Sequence, residues 1–266
     1  MKIPAQIPII SNFLKELFFP SFCLGCQKEG TYLCDDCRSI LEISEYNYCL
    51  CNKNPIRIIS SSSGNRAGKC SRCADKKLSG LYFALPYKEK SLTRRLIRQF
   101  KYKPYIKCLA KVLAGILIEN FVLTKKNTNR IWENSVLIPV PLGKNKLRER
   151  GYNQSEELAK ELSKIVGVPV ISNNLIKIKE TLSQIELSAE ERRENLRNVF
   201  EVKDIEEIIF GKPVTDSGRH PVNIRQRKIF LIDDVYTTGS TLEQCARVLR
   251  NAGAKRVWGI TIARED

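Results

Sequence analysis

Apolar positions along this chain follow two periods, and the two alternate. Short continuous apolar runs, the pattern of strands buried in a parallel sheet, occur at Val136-Leu-Ile-Pro-Val-Pro-Leu142 and Ile229-Phe-Leu-Ile232, and Leu81-Tyr-Phe-Ala-Leu-Pro-Tyr87, Leu175-Ile-Lys-Ile178 and Arg256-Val-Trp-Gly-Ile-Thr-Ile-Ala263 read as further strands. Phe200-Glu-Val202 predicts a further short strand. Between them the period becomes helical. Leu92, Leu96, Ile97 and Phe100 share one side of a basic helix over residues 91–103. Leu109, Ala110, Leu113, Ala114 and Leu117 mark an apolar helix over 106–121. Asn153 and Glu156 form a capping-box pattern for a helix that runs to Val166 and stops at Gly167 and Pro169. Leu242, Ala246 and Leu249 predict a helix ended by Gly253. Strands alternating with helices predict an α/β fold with a mostly parallel sheet over residues 81–266.

Other segments carry weaker signals. Ile9, Ile10, Phe13, Leu14, Leu17 and Phe18 predict a lead-in packing helix within residues 1–22, ended by Pro20. Ser188 and Glu191 cap a predicted helix that carries Arg192, Arg193, Asn195 and Leu196. Residues 125–130 read as a polar linker, and 203–227 as an irregular polar insertion.

Residues 1–80 form a predicted separate module, because 23–80 hold eight of the ten cysteines and few aliphatic residues. Cys23-x-x-Cys26 and Cys34-x-x-Cys37 have the spacing of paired knuckles that close a tetrahedral Cys₄ zinc site. Cys49-x-Cys51 and Cys70-x-x-Cys73 make a second set, in which the first pair is one residue short. That set is either a second metal site or one whose metal has been lost. A disulfide scaffold would need an oxidising compartment, and no export signal is visible. A redox Cys-x-x-Cys would stand alone, whereas these pairs come in series. Cys108 and Cys245 sit inside apolar helical patterns and read as core cysteines.

At 266 residues and 42% hydrophobic content the chain can build one medium domain and a small one. The net charge of +16 bears on partners: nucleic acid, anionic lipid or phosphorylated metabolites. No apolar run is long enough to span a membrane, and a cytoplasmic location is the default expectation. Arg94, Arg95, Arg98, Lys101 and Lys103, with Tyr102 and Tyr105 interleaved, are candidates for single-stranded DNA: phosphates on cations, bases on rings. The competing reading is a solvated helix face with inward aromatics. The one histidine, His220, lies in the polar insertion, so a Ser-His or Cys-His pair has no sensible place.

The candidate chemistry sits where the run Ile229–Ile232 ends. Asp233 and Asp234 follow it, then Val235, Tyr236 and the hydroxyl-rich Thr237-Thr-Gly-Ser-Thr241 at a helix start. Free N–H groups of a first helical turn and the helix dipole make an anion cradle. The segment lacks both the Walker ending and G-x-G-x-x-G. Lys144, Lys146, Arg148 and Arg150 follow another strand in what reads as a cationic loop, a second anion site at the same sheet edge.

The acids and loop resemble the phosphoribosyl diphosphate (PRPP) loop of type I phosphoribosyltransferases. The wider set extends this. The serial cysteine pairs, Leu137-Ile-Pro-Val-Pro-Leu142, Arg148-x-Arg150-Gly-Tyr-Asn-Gln154, Thr181-x-x-Gln184-x-x-Leu187, Arg192-x-x-Asn195-Leu196 and Asp233-Asp-Val-Tyr-Thr-Thr-Gly239 resemble the ComF family over nearly the whole chain. The resemblance implies a double zinc ribbon followed by a type I phosphoribosyltransferase fold. It implies a link to DNA uptake in natural competence, with single-stranded DNA and a helicase as partners. It assigns Asp233 and Asp234 to the ribose hydroxyls, and Val235, Thr237, Thr238, Gly239, Ser240 and Thr241 to the 5′-phosphate segment. It assigns Arg148, Lys146 and Arg150 to the diphosphate, with Mg²⁺ held by ligand oxygens and water. Arg148, Asp233 and Asp234 are its candidate catalytic residues. Two departures are the short Cys49-x-Cys51 spacing and a 203–227 stretch longer than usual. Three functions stay open: a phosphoribosyl transferase with an unidentified acceptor, a DNA-handling protein with PRPP as ligand or regulator, and a scaffold whose zinc module docks a protein.

Overall fold

The computed structural model describes residues 20–58, 68–124, 128–179, 199–203 and 224–265. The lead-in helix apart from its last residues, the helix at 188–196, Thr181 to Leu187, His220 and nearly all of the polar insertion lie outside the described residues.

Four parallel strands form the central sheet: β3 (Gly80–Pro86), β4 (Ser135–Pro139), β7 (Lys228–Tyr236) and β8 (Arg256–Arg264), in the order β3-β8-β7-β4. Strand β7 is central because its residues are apolar toward both faces. Phe230 and Ile232 enter one core, Ile229 and Leu231 the other. Its pairing with β8 runs from Lys228↔Arg256 to Tyr236↔Arg264, so β7 extends four residues beyond the predicted run and includes both acids. The reason is β8, which offers backbone partners as far as Arg264.

The first core is filled by three helices: α2 (Leu92–Lys101), α3 (Leu109–Leu123) and α6 (Gln154–Val166). Trp132, the last residue of the short α4 (Thr128–Trp132), sits edge-on to Phe121 and Phe230 at 5.3 and 4.8 Å. The second core is covered by α7 (Ser240–Asn251), through Leu242, Cys245, Ala246 and Leu249. The short strands β5 (Leu175–Lys177) and β6 (Phe200–Val202) pair antiparallel in a separate ribbon. Gly80 must lack a side chain: a Cβ there would lie 2.3 Å from the Trp258 ring of the neighbouring strand.

The cysteine-rich segment contains α1 (Asp35–Ser39) and the two-residue strands β1 (Asn47–Tyr48) and β2 (Arg57–Ile58). Residues of this segment belong to both cores: Cys23, Leu33, Cys34 and Cys37 to the first, Cys49, Leu50, Cys73 and Leu78 to the second. The Arg38 guanidinium pairs with Glu119 of α3 at 2.8 Å, and the Asn120 amide donates to the Ser44 carbonyl at 2.5 Å.

Three sequence expectations change. Cys108 is exposed, not core, because α3 begins at Leu109 and Cys108 only caps it. The cationic stretch after β4 is a helix, α5 (Lys144–Arg150), closed by Gly151 at φ 76°. Asn153 caps α6 through the Ser155 N–H, but Glu156 pairs with Lys160 at 2.7 Å rather than completing a capping box. Cys245 is buried as expected. Among the described residues no helix is long and apolar enough to cross a membrane.

Phe230 is about 1% exposed and touches aromatic rings from two directions. Truncation to alanine is expected to cost about 3–5 kcal/mol, read as a lowered midpoint in chemical denaturation with an unchanged slope.

Candidate functional site

The site begins with two carboxylates at the C-terminal end of β7. Alternation turns them to different surroundings. Asp234 is 7% exposed, and both its oxygens are taken by the Lys101 ammonium, at 2.8 and 3.1 Å. Asp233 is half-buried, and its Oδ1 accepts from the Asp234 N–H at 2.9 Å and the Ser155 hydroxyl of α6 at 3.2 Å. Desolvation pushes the Asp233 carboxyl up to about 7, and the Asp234 charge adds to it; Lys101, the Asp234 N–H and Ser155 offset part of the rise. Desolvation pulls Lys101 down, but the Asp234 carboxylate with the Asp233 charge outweighs it and holds the ammonium above its ordinary range.

The loop follows directly. Gly239 takes φ 73° and caps α7, so the chain turns through a left-handed residue into the helix. Any Cβ at Gly239 would also meet the Tyr236 ring at 2.4 Å. The Thr238 and Ser240 hydroxyls bond each other at 2.9 Å. Asp233, Val235, Tyr236, Thr237, Thr238, Gly239, Ser240 and Thr241 line one small depression. Acids, hydroxyls and the start of α7 therefore meet at the carboxyl edge of a parallel sheet, where α/β proteins bind ligands.

The second cationic element is less enclosed. Lys146 and Arg148 lie exposed on α5. Arg150 donates to Gln154 at 3.0 Å, with its guanidinium 5.5 Å from the Tyr102 ring centre. The Tyr105 hydroxyl donates to Glu149 at 2.9 Å, so the end of α2 and the following corner rest on α5.

The five cations predicted as one nucleic-acid stretch divide. Arg95, Arg98 and Lys103 are exposed. Arg94 is half-buried beside Glu89 at 3.6 Å. Lys101 belongs to the acid pair. One signal for this was available: Lys101 lies four residues after the buried Ile97, hence on the apolar side of the helix. Ser155, in the first turn of α6, gave no comparable sign.

Both cysteine quartets are assembled. In each, the four sulfurs lie within 4.8 Å of one another: Cys23, Cys26, Cys34 and Cys37, and Cys49, Cys51, Cys70 and Cys73. Neighbouring sulfurs stand 3.6 Å apart in the first set and 3.6 and 3.7 Å in the second. A tetrahedron of thiolates about 2.3 Å from zinc has edges of about 3.8 Å, whereas a disulfide is about 2.05 Å. The sulfurs fit a metal in both sets, and the short Cys49-x-Cys51 spacing does not prevent it. Cys23 falls to about 6, where N–H groups of Cys34, Cys26 and Gly25 and the Cys34 thiol outweigh desolvation. Cys70 also falls to about 6, through the Cys51, Cys49 and Cys73 thiols. Desolvation raises Cys37 and Cys51 to about 12, so each quartet is short of the charge that four thiolate ligands carry until a cation is present.

Fold, loop and quartets define a protein of the phosphoribosyltransferase fold joined to a cysteine-rich, metal-competent module. The phosphoribosyl transferase domain family matches residues 153–265. Competence protein F of Haemophilus influenzae is 29% identical over 254 residues, 92% of this chain and 99% of that protein. Competence protein ComFC of Streptococcus pneumoniae is 28% identical over 254 residues, 94% and 96% of the two chains. DNA utilization protein YhgH of Escherichia coli K12 is 32% identical over 165 residues, 61% of this chain and 64% of that protein. Similarity to the competence proteins over most of the chain, together with the phosphoribosyl transferase domain, supports the ComF family.

Because Asp233 holds its proton more tightly folded than unfolded, it costs stability as pH rises from about 4 to 7. Asp233→Asn is expected to stabilise the protein by roughly 2 kcal/mol at pH 8. The gain should shrink to nothing by about pH 4. Denaturation across that range checks it.

Proposed function

We propose that the site binds PRPP and that the protein transfers its phosphoribosyl group to an acceptor. The observation that carries this reading is the acid pair at the end of β7 beside the left-handed Gly239 loop. Asp233 and Asp234 take the two ribose hydroxyls. Thr237, Thr238, Gly239, Ser240 and Thr241, with the flanking Val235 backbone, take the 5′-phosphate through hydroxyls and the first-turn N–H groups. Lys146, Arg148 and Arg150 neutralise the diphosphate, and Mg²⁺ bound with PRPP would add positive charge to the leaving diphosphate. In transfer, the bond from C1 to the diphosphate oxygen breaks and the acceptor's lone pair forms the new bond to C1. The nearby carboxylates favour the positive charge that develops on the sugar. Lys101 is the countercharge paired with the buried Asp234, and ligand hydroxyls compete with it for the same two oxygens.

Calorimetric titration with PRPP and Mg²⁺ tests this reading. Binding should occur in the wild type and vanish in Asp233→Ala/Asp234→Ala; a folded, metal-loaded wild type that takes up no heat would remove it. A PRPP-dependent turnover screen over purine, pyrimidine and amide acceptors then separates a transferase from a protein that only binds.

A second reading has its own observation. Arg95, Arg98 and Lys103 are exposed, and the Tyr102 ring beside them is 52% exposed. This surface suits single-stranded DNA, and the names of the relatives, competence and DNA utilization proteins, agree with a role in DNA uptake. PRPP would then serve as ligand or regulator, and a competence helicase is the partner to look for. Oligonucleotide affinity should fall steeply with salt, with a slope shallower by about 2–3 units in Arg95→Ala/Arg98→Ala/Lys103→Ala. An unchanged slope places the DNA elsewhere. Zinc is the metal proposed for both quartets, and residues 1–80 and 81–266 the division between the cysteine-rich module and the catalytic-type domain.

A further inference from the structure

The second cysteine quartet is fastened to the phosphate loop from both of its halves. Three successive carbonyls, those of Cys49, Leu50 and Cys51, accept bonds from the ends of β7, which leads into the loop, and of its neighbour β8. The Arg264 guanidinium at the end of β8 donates to Cys49 at 2.8 Å and also to Cys51. The Tyr236 hydroxyl, at the end of β7, donates to Leu50 at 2.9 Å, and the Lys76 ammonium joins the same carbonyl at 2.6 Å. From the other half, just past Cys73, the Lys77 and Leu78 N–H groups donate to the two Glu243 oxygens at 2.6 and 3.1 Å. Glu243 lies in the first turn of α7, and its own N–H donates to the Gly239 carbonyl at 2.9 Å.

These contacts converge on the loop. The Tyr236 ring lies directly under Gly239, so close that a Cβ would fall 2.4 Å from it. Burial holds the Tyr236 phenol well above its ordinary range, which keeps its hydroxyl a donor. Arg264 is 1% exposed, and its guanidinium carbon stands 5.3 Å from the Tyr236 ring centre. Such buried donors have no water to fall back on, so the positions of the Cys49–Cys51 carbonyls fix theirs. A metal at Cys49, Cys51, Cys70 and Cys73 would tie these two halves together. The first quartet has a different neighbourhood: its fastening is Arg38 to Glu119 on α3, on the opposite face of the sheet.

We propose that the second quartet, and not the first, sets the geometry of the phosphate loop, with Tyr236, Arg264 and Glu243 as positioning residues. The loop and the metal are then thermodynamically coupled. Losing the metal loosens the loop, and a phosphorylated ligand in the loop tightens the hold on the metal. For its ligand arm the proposal rests on the PRPP reading; its exchange arm does not.

The test uses the full chain loaded with zinc. Cys70→Ser should lose one metal and speed hydrogen exchange of the amides at 240–246. It should also weaken PRPP binding roughly 5- to 100-fold. Cys26→Ser should lose the other metal and leave those amides unchanged. Tyr236→Phe removes one hydroxyl and keeps all four sulfurs, so it covers the case in which Cys70→Ser fails to fold. It should speed both exchange at 240–246 and chelator-driven release of the second metal, with PRPP binding weaker by about three- to tenfold. Unchanged exchange in Tyr236→Phe, or equal effects of Cys26→Ser and Cys70→Ser on those amides, would overturn the proposal. A wild type that fails to bind PRPP while the exchange differences hold would remove the PRPP reading and leave the coupling standing.

Discussion

Two carboxylates at the end of a strand buried on both faces set the terms for the rest of this molecule. Ionised groups withdrawn from water must be neutralised, hydrogen-bonded or protonated. Here all three responses occur within a few ångströms. Lys101 takes both oxygens of Asp234, Ser155 and a backbone N–H hold one oxygen of Asp233, and Asp233 keeps a raised affinity for its proton. The partners come from α2 and α6, which lie together over the first core. That core therefore does more than bury apolar area, because it delivers a lysine and a serine to the strand end. The arrangement is costly in the ligand-free protein, which is the usual condition of a site whose polar groups are completed by a ligand.

The cysteine-rich segment obeys a related constraint. It has few aliphatic side chains, and its knuckles expose backbone carbonyls and N–H groups that need partners. Those at Cys49 to Cys51 and at Lys77 and Leu78 find them in Arg264, Tyr236 and Glu243, all at the carboxyl edge where the loop turns into α7. Polar groups on the module and long polar side chains on the sheet satisfy one another. The module thus shares both cores with the sheet, and its second quartet is bonded to the residues that flank the turn at 237–241.

Much of this was legible from spacing. The apolar runs gave β3, β4, β7 and β8, and helical periods gave α2, α3, α6 and α7. Asp233 and Asp234 stood at the end of an apolar run, as the structure places them at the end of β7, and paired cysteines announced metal-competent clusters. The failures were local and physical. Cys108 has an apolar neighbourhood in sequence but caps the helix that begins at Leu109, and its side chain is left in solvent while Leu109 enters the core. The cations after β4 were read as a loop, but Lys144 to Arg150 have good helix propensity and Gly151 supplies the stop. Lys101 looked like one of five equivalent charges until its position opposite Asp234 separated it from Arg95, Arg98 and Lys103.

The sequence by itself determined the elements, the parallel sheet, the acids at a strand end and the serial pairs of cysteines. Each is encoded by neighbours within a few residues, where period, propensity and turn chemistry act. Only the tertiary structure decided that Lys101 neutralises Asp234, that Ser155 reaches Asp233, that the short Cys49-x-Cys51 pair closes its quartet, and that this quartet is tied to the turn at 237–241 through Tyr236 and Glu243. Those contacts join residues far apart along the chain, and they depend on strand register and on the packing of helices across the sheet, which no local pattern specifies.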